Sequence, residues 1–599
     1  MLKSLQEIVR DAEDNIKSGT VHLSDYVDWS FRETINRIDA YSNSRHISGD
    51  TDSLGRVKPF FNIVSAATNI WYRATDLDRK DIKFVPDSQK AVPLALVANV
   101  ILQNWMNSNR FGQFLNSWGR TLAKYGSAVV KFVEKDGELI PSVIPWNRII
   151  CDTVDFEALP RIEKFYKTPE QLKKLPYDQK QVEGLLSAQT TRKTIGGDSK
   201  DKQDKFIELY EIHGELDSRY LETDPDWTLP AKYVQQMHVV SFALTDDQYL
   251  DYTLFSGKEA KDPYMITHLI EEDGRTLAIG AVEYLFDAQW MQNHTVKNMK
   301  DTLDIISKLI MQTADPRYVG RNILTGIETG DIFVHAPDMP LTRVANDKPD
   351  ISALQSFGMM WQNMSRELSS TPDALRGNTL PSGTPYSLGQ YLGSQASSLF
   401  EIMTENKGLA LEDMIKVFII PNIKKKLKNK DEIVGILDDA GISEIDAMYI
   451  PKEAVERYNA QSDFQVLSGQ PVQPFNPMMA EQQVKQEMGA QGNKRFFTPD
   501  KMGKKTWDAV FSDFQWENVR VQITGEQKDK QAALQTLTTV LQTLATNPAI
   551  LSDENARLAF NAILRETGEL SPIQFRPPTQ PINPQLTSGG SSPAPLPTQ

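Results

Sequence analysis

Apolar and polar positions alternate most regularly between about Gly280 and Lys430, and that stretch organises the rest of the chain. Val282, Leu285, Phe286, Trp290, Met299, Leu303, Ile306 and Ile310 recur at helical spacing, interrupted only by a polar middle turn from Gln292 to Asn298. The spacing predicts one long helix over 281–313, a rod of roughly 50 Å at the ordinary helical rise. Leu354, Phe357, Trp361, Met364 and Leu368 step alternately by three and four. They predict a second helix over 351–369, with the seam of a rod packed lengthwise on another helix. A third helix is expected from near Ser387 to about Ile420. A β-rich insert over 314–350 separates the first two helices. A loop over 370–386, carrying Gly377, Pro381, Gly383 and Pro385, separates the second and third, and its composition lets it shift without breaking a core.

Elsewhere the pattern is mixed. Leu5, Ile8, Val9, Ala12 and Ile16 share one face of an expected helix over 1–18, and a second helix is expected over 24–40. Pro59 suits the start of a helix running on toward Ala74. Helices are expected over 93–107 and 111–125, the latter closed by Gly126 as C-cap. Strands are expected at 81–86, at 128–133 and 142–144 around the turn Asp136-Gly137, and at 147–151, 206–213, 238–244 and 516–523. A charged loop spans 191–204, and a Gln-, Pro- and Met-rich stretch over 466–495 reads as an extended linker. Helices over 526–545 and 552–567 precede a Pro/Ser/Gly tail, 571–599, expected to be disordered. The fold class is α+β, mainly helical.

Composition narrows the function. With 599 residues, 40% of them apolar, the chain can bury a large core and should form several subdomains. A net charge of −14 excludes a protein that coats nucleic acid electrostatically, but not a channel through which DNA slides without sticking. The single cysteine, Cys151, leaves no internal disulfide or cysteine-cluster metal site. Neither a secretory leader nor a run of apolar residues long enough to span a membrane is visible, so a soluble protein without membrane association is expected.

No catalytic constellation emerges. Met502-Gly503-Lys504-Lys505-Thr506 has the end of a phosphate-binding loop, but Thr498 stands where the earlier glycine is required. The seven histidines lie at no metal-ligand spacing, and His213 and His238, in expected strands, read as structural. Asp224-Pro-Asp226, Asp246-Asp247 and Asp438-Asp439 read as solvated turns. Cys151, in an apolar strand context, reads as a buried inert thiol. The basic run Lys424 to Lys430 complements the C-terminal dipole of the third helix. No catalytic residue, metal ligand or cofactor is assigned.

The order of several strings resembles the portal proteins of tailed double-stranded DNA phages. Ile279-Gly-Ala-Val-Glu-Tyr-Leu-Phe-Asp-Ala-Gln-Trp-Met-Gln-Asn293 is similar to the start of that family's stem helix. Asn62-Ile-Val-Ser-Ala-Ala-Thr-Asn-Ile followed by Ile82 to Val85, and Tyr125-Gly-Ser-Ala-Val-Val-Lys-Phe followed by Ile144-Pro-Trp-Asn, resemble its wing. Val519-Arg-Val-Gln-Ile-Thr-Gly-Glu-Gln is similar to a downstream segment, so the resemblance extends over roughly residues 55 to 545.

The resemblance implies a portal fold assembled as a ring of roughly twelve copies around a central channel. Residues 1–280 would form the N-terminal wing, 281–313 and 351–369 the stem, 314–350 the clip and 370–386 a tunnel loop. Residues 387–525 would form the long wing helix and the rest of the wing, 526–570 the crown and 571–599 the tail. The tunnel-loop residues Arg376, Asn378, Thr379, Ser382 and Thr384 would face double-stranded DNA without reading its sequence. Leu303, Ile306, Ile310, Leu354, Phe357, Trp361, Met364 and Leu368 would pack the stems into a ring. Implied partners are the major capsid protein, a scaffolding protein, the terminase large subunit and a head-tail adaptor. Implied locations are the portal vertex of the virion and, during assembly, the host cytoplasm. Two rivals stand beside this: an oligomeric helical scaffold or adaptor without a channel, and a nuclease built from dispersed carboxylates.

Overall fold

In a computed structural model of the chain, the described residues run from 3 to 521, outside which lie 522–599. Also outside them are 191–205, 223–229, 307–310, 319–333, 344–350 and 370–385, together with shorter gaps. The expected crown helices, the tail, the charged loop at 191–204 and most of the insert therefore lie outside the described residues, as do the acidic pairs Asp224/Asp226 and Asp246/Asp247 and, of the third, Asp438, while Asp439 opens a helix.

The elements in order are α1 (Leu5–Ser18), β1 (Val21–Ser24), β2 (Val27–Trp29), α2 (Phe31–Ser42), α3 (Val64–Ala74), β3 (Ile82–Phe84), α4 (Val92–Ser108) and α5 (Phe111–Tyr125). Next come β4 (Ser127–Lys135), β5 (Glu138–Ile144), β6 (Ile149–Ile150), β7 (Arg161–Lys167), α6 (Pro169–Lys174), α7 (Gln179–Thr190), β8 (Ile207–Asp217), β9 (Tyr233–Thr245), β10 (Gln248–Lys258) and β11 (Tyr264–His268). The long helices come after these: α8 (Phe286–Ile306), β12 (Met311–Gln312), β13 (Thr342–Arg343), α9 (Ile351–Leu368), α10 (Tyr386–Met414) and α11 (Ile420–Lys426). The chain continues with β14 (Ile433–Ile436), α12 (Asp439–Leu467), α13 (Pro477–Ala490), β15 (Lys494–Phe497), α14 (Trp507–Val510) and β16 (Val519–Val521). The class is α+β.

Two compact units are present. Among the described residues the larger draws on the spans 1–85, 102–426 and 515–521, and the smaller on 86–101 and 427–514.

The larger unit holds a five-stranded antiparallel sheet, β10-β9-β8-β7-β6, and a three-stranded one, β11-β4-β5. Leu172, Val182 and Leu185 from α6 and α7 bury against Ile207, Leu209, Val239 and Leu254 of the larger sheet. On the smaller sheet, α5 buries Phe114, Leu115, Trp118 and Leu122, and Trp118 Nε1 donates to Thr267 Oγ1 at 2.9 Å. Local chemistry fixes the helix ends. Ser4 and Glu7 form a reciprocal capping box on α1. Gly126, at φ 77°, adopts the left-handed turn that closes α5. An ionic network buried among β4, β7 and β8 has Lys131 Nζ at 2.8 Å from Glu163 and 2.9 Å from Glu211.

In the smaller unit α12 and α13 pack together over Ile450, Ala454 and Val484. Arg495 of β15 grips Asp446 of α12 with two hydrogen bonds of 2.8 Å.

Several expectations are corrected. Residues 21–24 and 27–29 pair as the antiparallel strands β1 and β2, so the second helix begins at Phe31, where Ser30 Oγ accepts from Glu33 N. Pro59 does not start a helix. α3 begins at Val64, and Asn62 Oδ1 accepts from Ser65 N at 2.9 Å. The first long helix does not reach Thr313, because Met311 and Gln312 pair with Arg343 and Thr342 as a strand. Pro421 does not stop the third helix. A π-helical turn over Ile415–Ile419 precedes it, and helix resumes through Pro421 to Lys426. The stretch 466–495 is not an extended linker, since α12 runs to Leu467 and α13 takes up Pro477–Ala490.

Candidate assembly interface

The stretch that dominates the sequence pattern forms, in the larger unit, an antiparallel pair of helices rooted in the core. Gly280 starts it. A Cβ there would lie 2.5 Å from Gly126 N, Lys124 O and Tyr125 C, so only glycine lets the chain cross the end of α5. Arg275 secures the same crossing, closing a bidentate pair with Glu283 at 2.8 and 3.0 Å just before α8.

The root of α8 is held by buried amides. Gln289 Oε1 accepts from Ile63 N at 2.9 Å while its Nε2 donates to Phe61 O at 2.7 Å. Asn293 Oδ1 accepts from Phe61 N at 3.1 Å. The far end of α9 is pinned by Trp71, whose Nε1 donates to Ser369 O at 2.8 Å. These amides, which periodicity could not flag because they interrupt the apolar stripe, fix where the helix pair leaves the core.

The seam between the two helices is made of small and polar groups. Gly358 and Ser365 are the buried residues of α9. A Cβ at Gly358 would meet Thr295 Cγ2 at 3.4 Å and Gln292 Oε1 at 3.8 Å. The polar middle turn of α8 is thus the contact surface with α9, and of the alternating apolar stripe of α9 Phe357, Met364 and Leu368 lie off it. Phe357, Met360, Met364 and Leu368 remain between 39% and 51% exposed, and Leu303 on α8 is 48% exposed. Leu354 and Trp361 are half-buried, and the Trp361 indole meets the Phe357 ring edge-on at 6.3 Å.

Ile306 closes α8, but its side chain lies outside the described residues, as does all of Ile310. All five tunnel-loop residues, Arg376, Asn378, Thr379, Ser382 and Thr384, lie outside them too. At the base of the insert, Asp315 accepts from Arg317 and from Ala336 N, which holds its carboxylate well below the usual range.

The groups weighed for chemistry sit in structural settings. His213 contacts Glu211 and Glu259 through its two ring nitrogens at 2.7 and 2.9 Å. His238 contacts Ser256 and Gln236, and burial lowers its pKa to about 4. Cys151 is buried and its thiol is pushed up by desolvation. Lys425 and Lys426 pair with Glu134 and Glu138 at 2.9 and 2.7 Å. Among the described residues no cluster of histidine, cysteine or carboxylate side chains could hold a metal ion. Nor is any described helix long and apolar enough to cross a membrane.

The chain matches no protein-family model and no curated protein sequence.

Proposed function

We propose that the chain is the subunit of a phage portal, a ring that conducts double-stranded DNA through one capsid vertex and gives the packaging motor and then the tail a place to dock. One observation carries the reading. A pair of long antiparallel helices rises from the core with its seam closed by Gly358, Ser365 and Thr295, while the apolar row Phe357, Met360, Met364 and Leu368 is left facing out. Among the described residues nothing in the same copy covers that row, whereas a neighbour related by rotation could. The resemblance of the strings around Gly280, Asn62 and Tyr125 to portal sequences supports the same reading. DNA contact in this reading falls to the tunnel loop around Arg376, and no step of catalysis is assigned to the chain.

Electron microscopy of the purified protein tests the proposal. Rings with an axial hole wide enough for a duplex, formed without nucleotide, are expected. Closed particles would favour the scaffold reading, and a species that stays monomeric across salt and concentration would exclude both.

A further inference from the structure

A cleft in the larger unit has a chemistry that neither the ring nor the tunnel loop uses. It lies between α2, the connection after it, and the first turns of α8, with a volume of about 520 Å³. That is within the roughly 300–1,000 Å³ of small-molecule sites. Arg37, Lys58 and Lys297 line it against one carboxylate, Asp287. Among the described residues Lys58 Nζ is held by neutral oxygens, Gly49 O at 2.8 Å, Ser48 Oγ at 3.3 Å and Ser48 O at 3.4 Å, so its charge is fixed in place but not cancelled there. Among the described residues Lys297 has no hydrogen-bond or ion-pair partner. Arg37 pairs with Glu33 at 2.7 Å, yet its Nε is buried without a partner. The next turns of α8 are different, with Asp301 and Asp304 meeting Arg56 and Lys300. In a chain of net charge −14, Lys58 and Lys297 meet here with no carboxylate partner among the described residues.

The second feature is an aromatic platform. Trp290, in the wall of the cleft, is 58% exposed. His294, one turn on, stacks beneath it with ring centroids 5.6 Å apart and planes 10° from parallel. An exposed indole propped flat beside cations suits a ligand with a phosphate and a planar base. An acidic peptide or a bare phosphate would use the cations and leave the platform idle.

We propose that this cleft binds a nucleotide, free or as one unit of a single strand, with the phosphate on Lys58 and Lys297 and the base stacked on Trp290. The site stands whether or not the chain forms a portal.

The test measures binding of thymidine monophosphate, a short fluorescent oligothymidylate and tripolyphosphate to the full chain. Trp290→Ala should weaken the oligothymidylate about tenfold or more, as expected for the loss of one stacked base, and leave tripolyphosphate unchanged. Lys58→Gln combined with Lys297→Gln should weaken both and flatten the salt dependence of oligonucleotide binding. Among the described residues the side chains of Trp290 and Lys297 make no hydrogen bonds that hold the fold, so an unchanged melting temperature is expected for their variants. Equal affinity for the monophosphate and the strand would identify a free nucleotide as the ligand, and strand binding alone a nucleic acid. The proposal is overturned if Trp290→Ala leaves oligothymidylate affinity intact, if polyglutamate competes as well as the oligonucleotide, if Arg376→Ala in place of Trp290→Ala abolishes binding, or if no probe binds.

Discussion

His213 shows how much a single buried side chain carries in this fold. Its two nitrogens face Glu211 and Glu259, Lys131 bridges Glu211 to Glu163, and the Tyr264 hydroxyl also reaches Glu163. Burial on its own would lower the imidazole pKa, but the hydrogen bonds to the two carboxylates outweigh it and leave the pKa above its ordinary 6.5. Burial likewise works to raise Glu211, and His213 with Lys131 overrides it, holding that carboxyl below its ordinary 4.5. The signs define a window. The His213 contribution is fully present below pH 6.5 and is lost as pH rises through the raised folded value. The Glu211 contribution is present above pH 4.5 and is lost as pH falls through the depressed one. His213→Gln should therefore cost about 3 kcal/mol between these limits, the scale for removing one partner of a buried pair. Chemical denaturation of both proteins across pH should show the gap closing on the alkaline side; a gap that stays constant there would mean the imidazole acts only by packing. The sequence placed His213 in a strand as a satisfied residue, which the alternation of β8 allowed. It could not show that Glu259, distant in sequence, supplies the second contact.

At the scale of elements, what holds α8 in place is backbone proximity at Gly280 together with the Gln289 and Asn293 amides. Gly280→Ala would drive a methyl group into Lys124 O and Gly126 N, atoms that cannot swing aside. A loss of about 1–3 kcal/mol, typical of overpacking, is expected, with faster proteolysis near the start of α8. Gly489→Ala, in α13 with open space around it, is the control and should be neutral or slightly stabilising. If both variants melt alike, the crossing at α5 is not what positions the helix. Elements written in local chemistry were legible: the Gly126 cap, the Asp-Gly turn between β4 and β5, and α9, whose expected span of 351–369 differs by one residue from Ile351–Leu368. Elements set by long-range pairing were not. β7, β10 and β11 carry charged and aromatic residues whose alternation is weak until a neighbouring strand is beside them. The helix in 466–495 was hidden by its Gln and Met content, since neither residue marks a face, although Val484 seats it in a core with Ala480 and Met488 packed beside it.

For the whole molecule the question is what the outward row on α9 is for. The alternating spacing of Leu354, Phe357, Trp361, Met364 and Leu368 was legible, but which face would meet α8 was not. That depended on Gly358 and Ser365, whose small size lets the two helices approach. With the intramolecular seam centred on these small residues, Phe357, Met364 and Leu368 are left uncovered by any described residue. Burying one such side chain is worth about 1.5–3 kcal/mol, and in a head-to-tail ring every subunit gains through two interfaces. Phe357→Glu with Met364→Glu puts two charges into that contact without touching Gly358. The double variant should keep its melting temperature as a monomer, because both side chains are already exposed, and should raise the concentration needed for assembly at least a hundredfold, about 2.7 kcal/mol or more. Salt separates this from an ionic contact. Apolar contacts strengthen in sulfate, whereas assembly through exposed charge pairs weakens as salt screens them. Analytical ultracentrifugation of both proteins at low and high sulfate reads these effects together. Assembly of the double variant at the parent's concentration would show that the row faces something other than a second copy, and the ring reading would lose its main support.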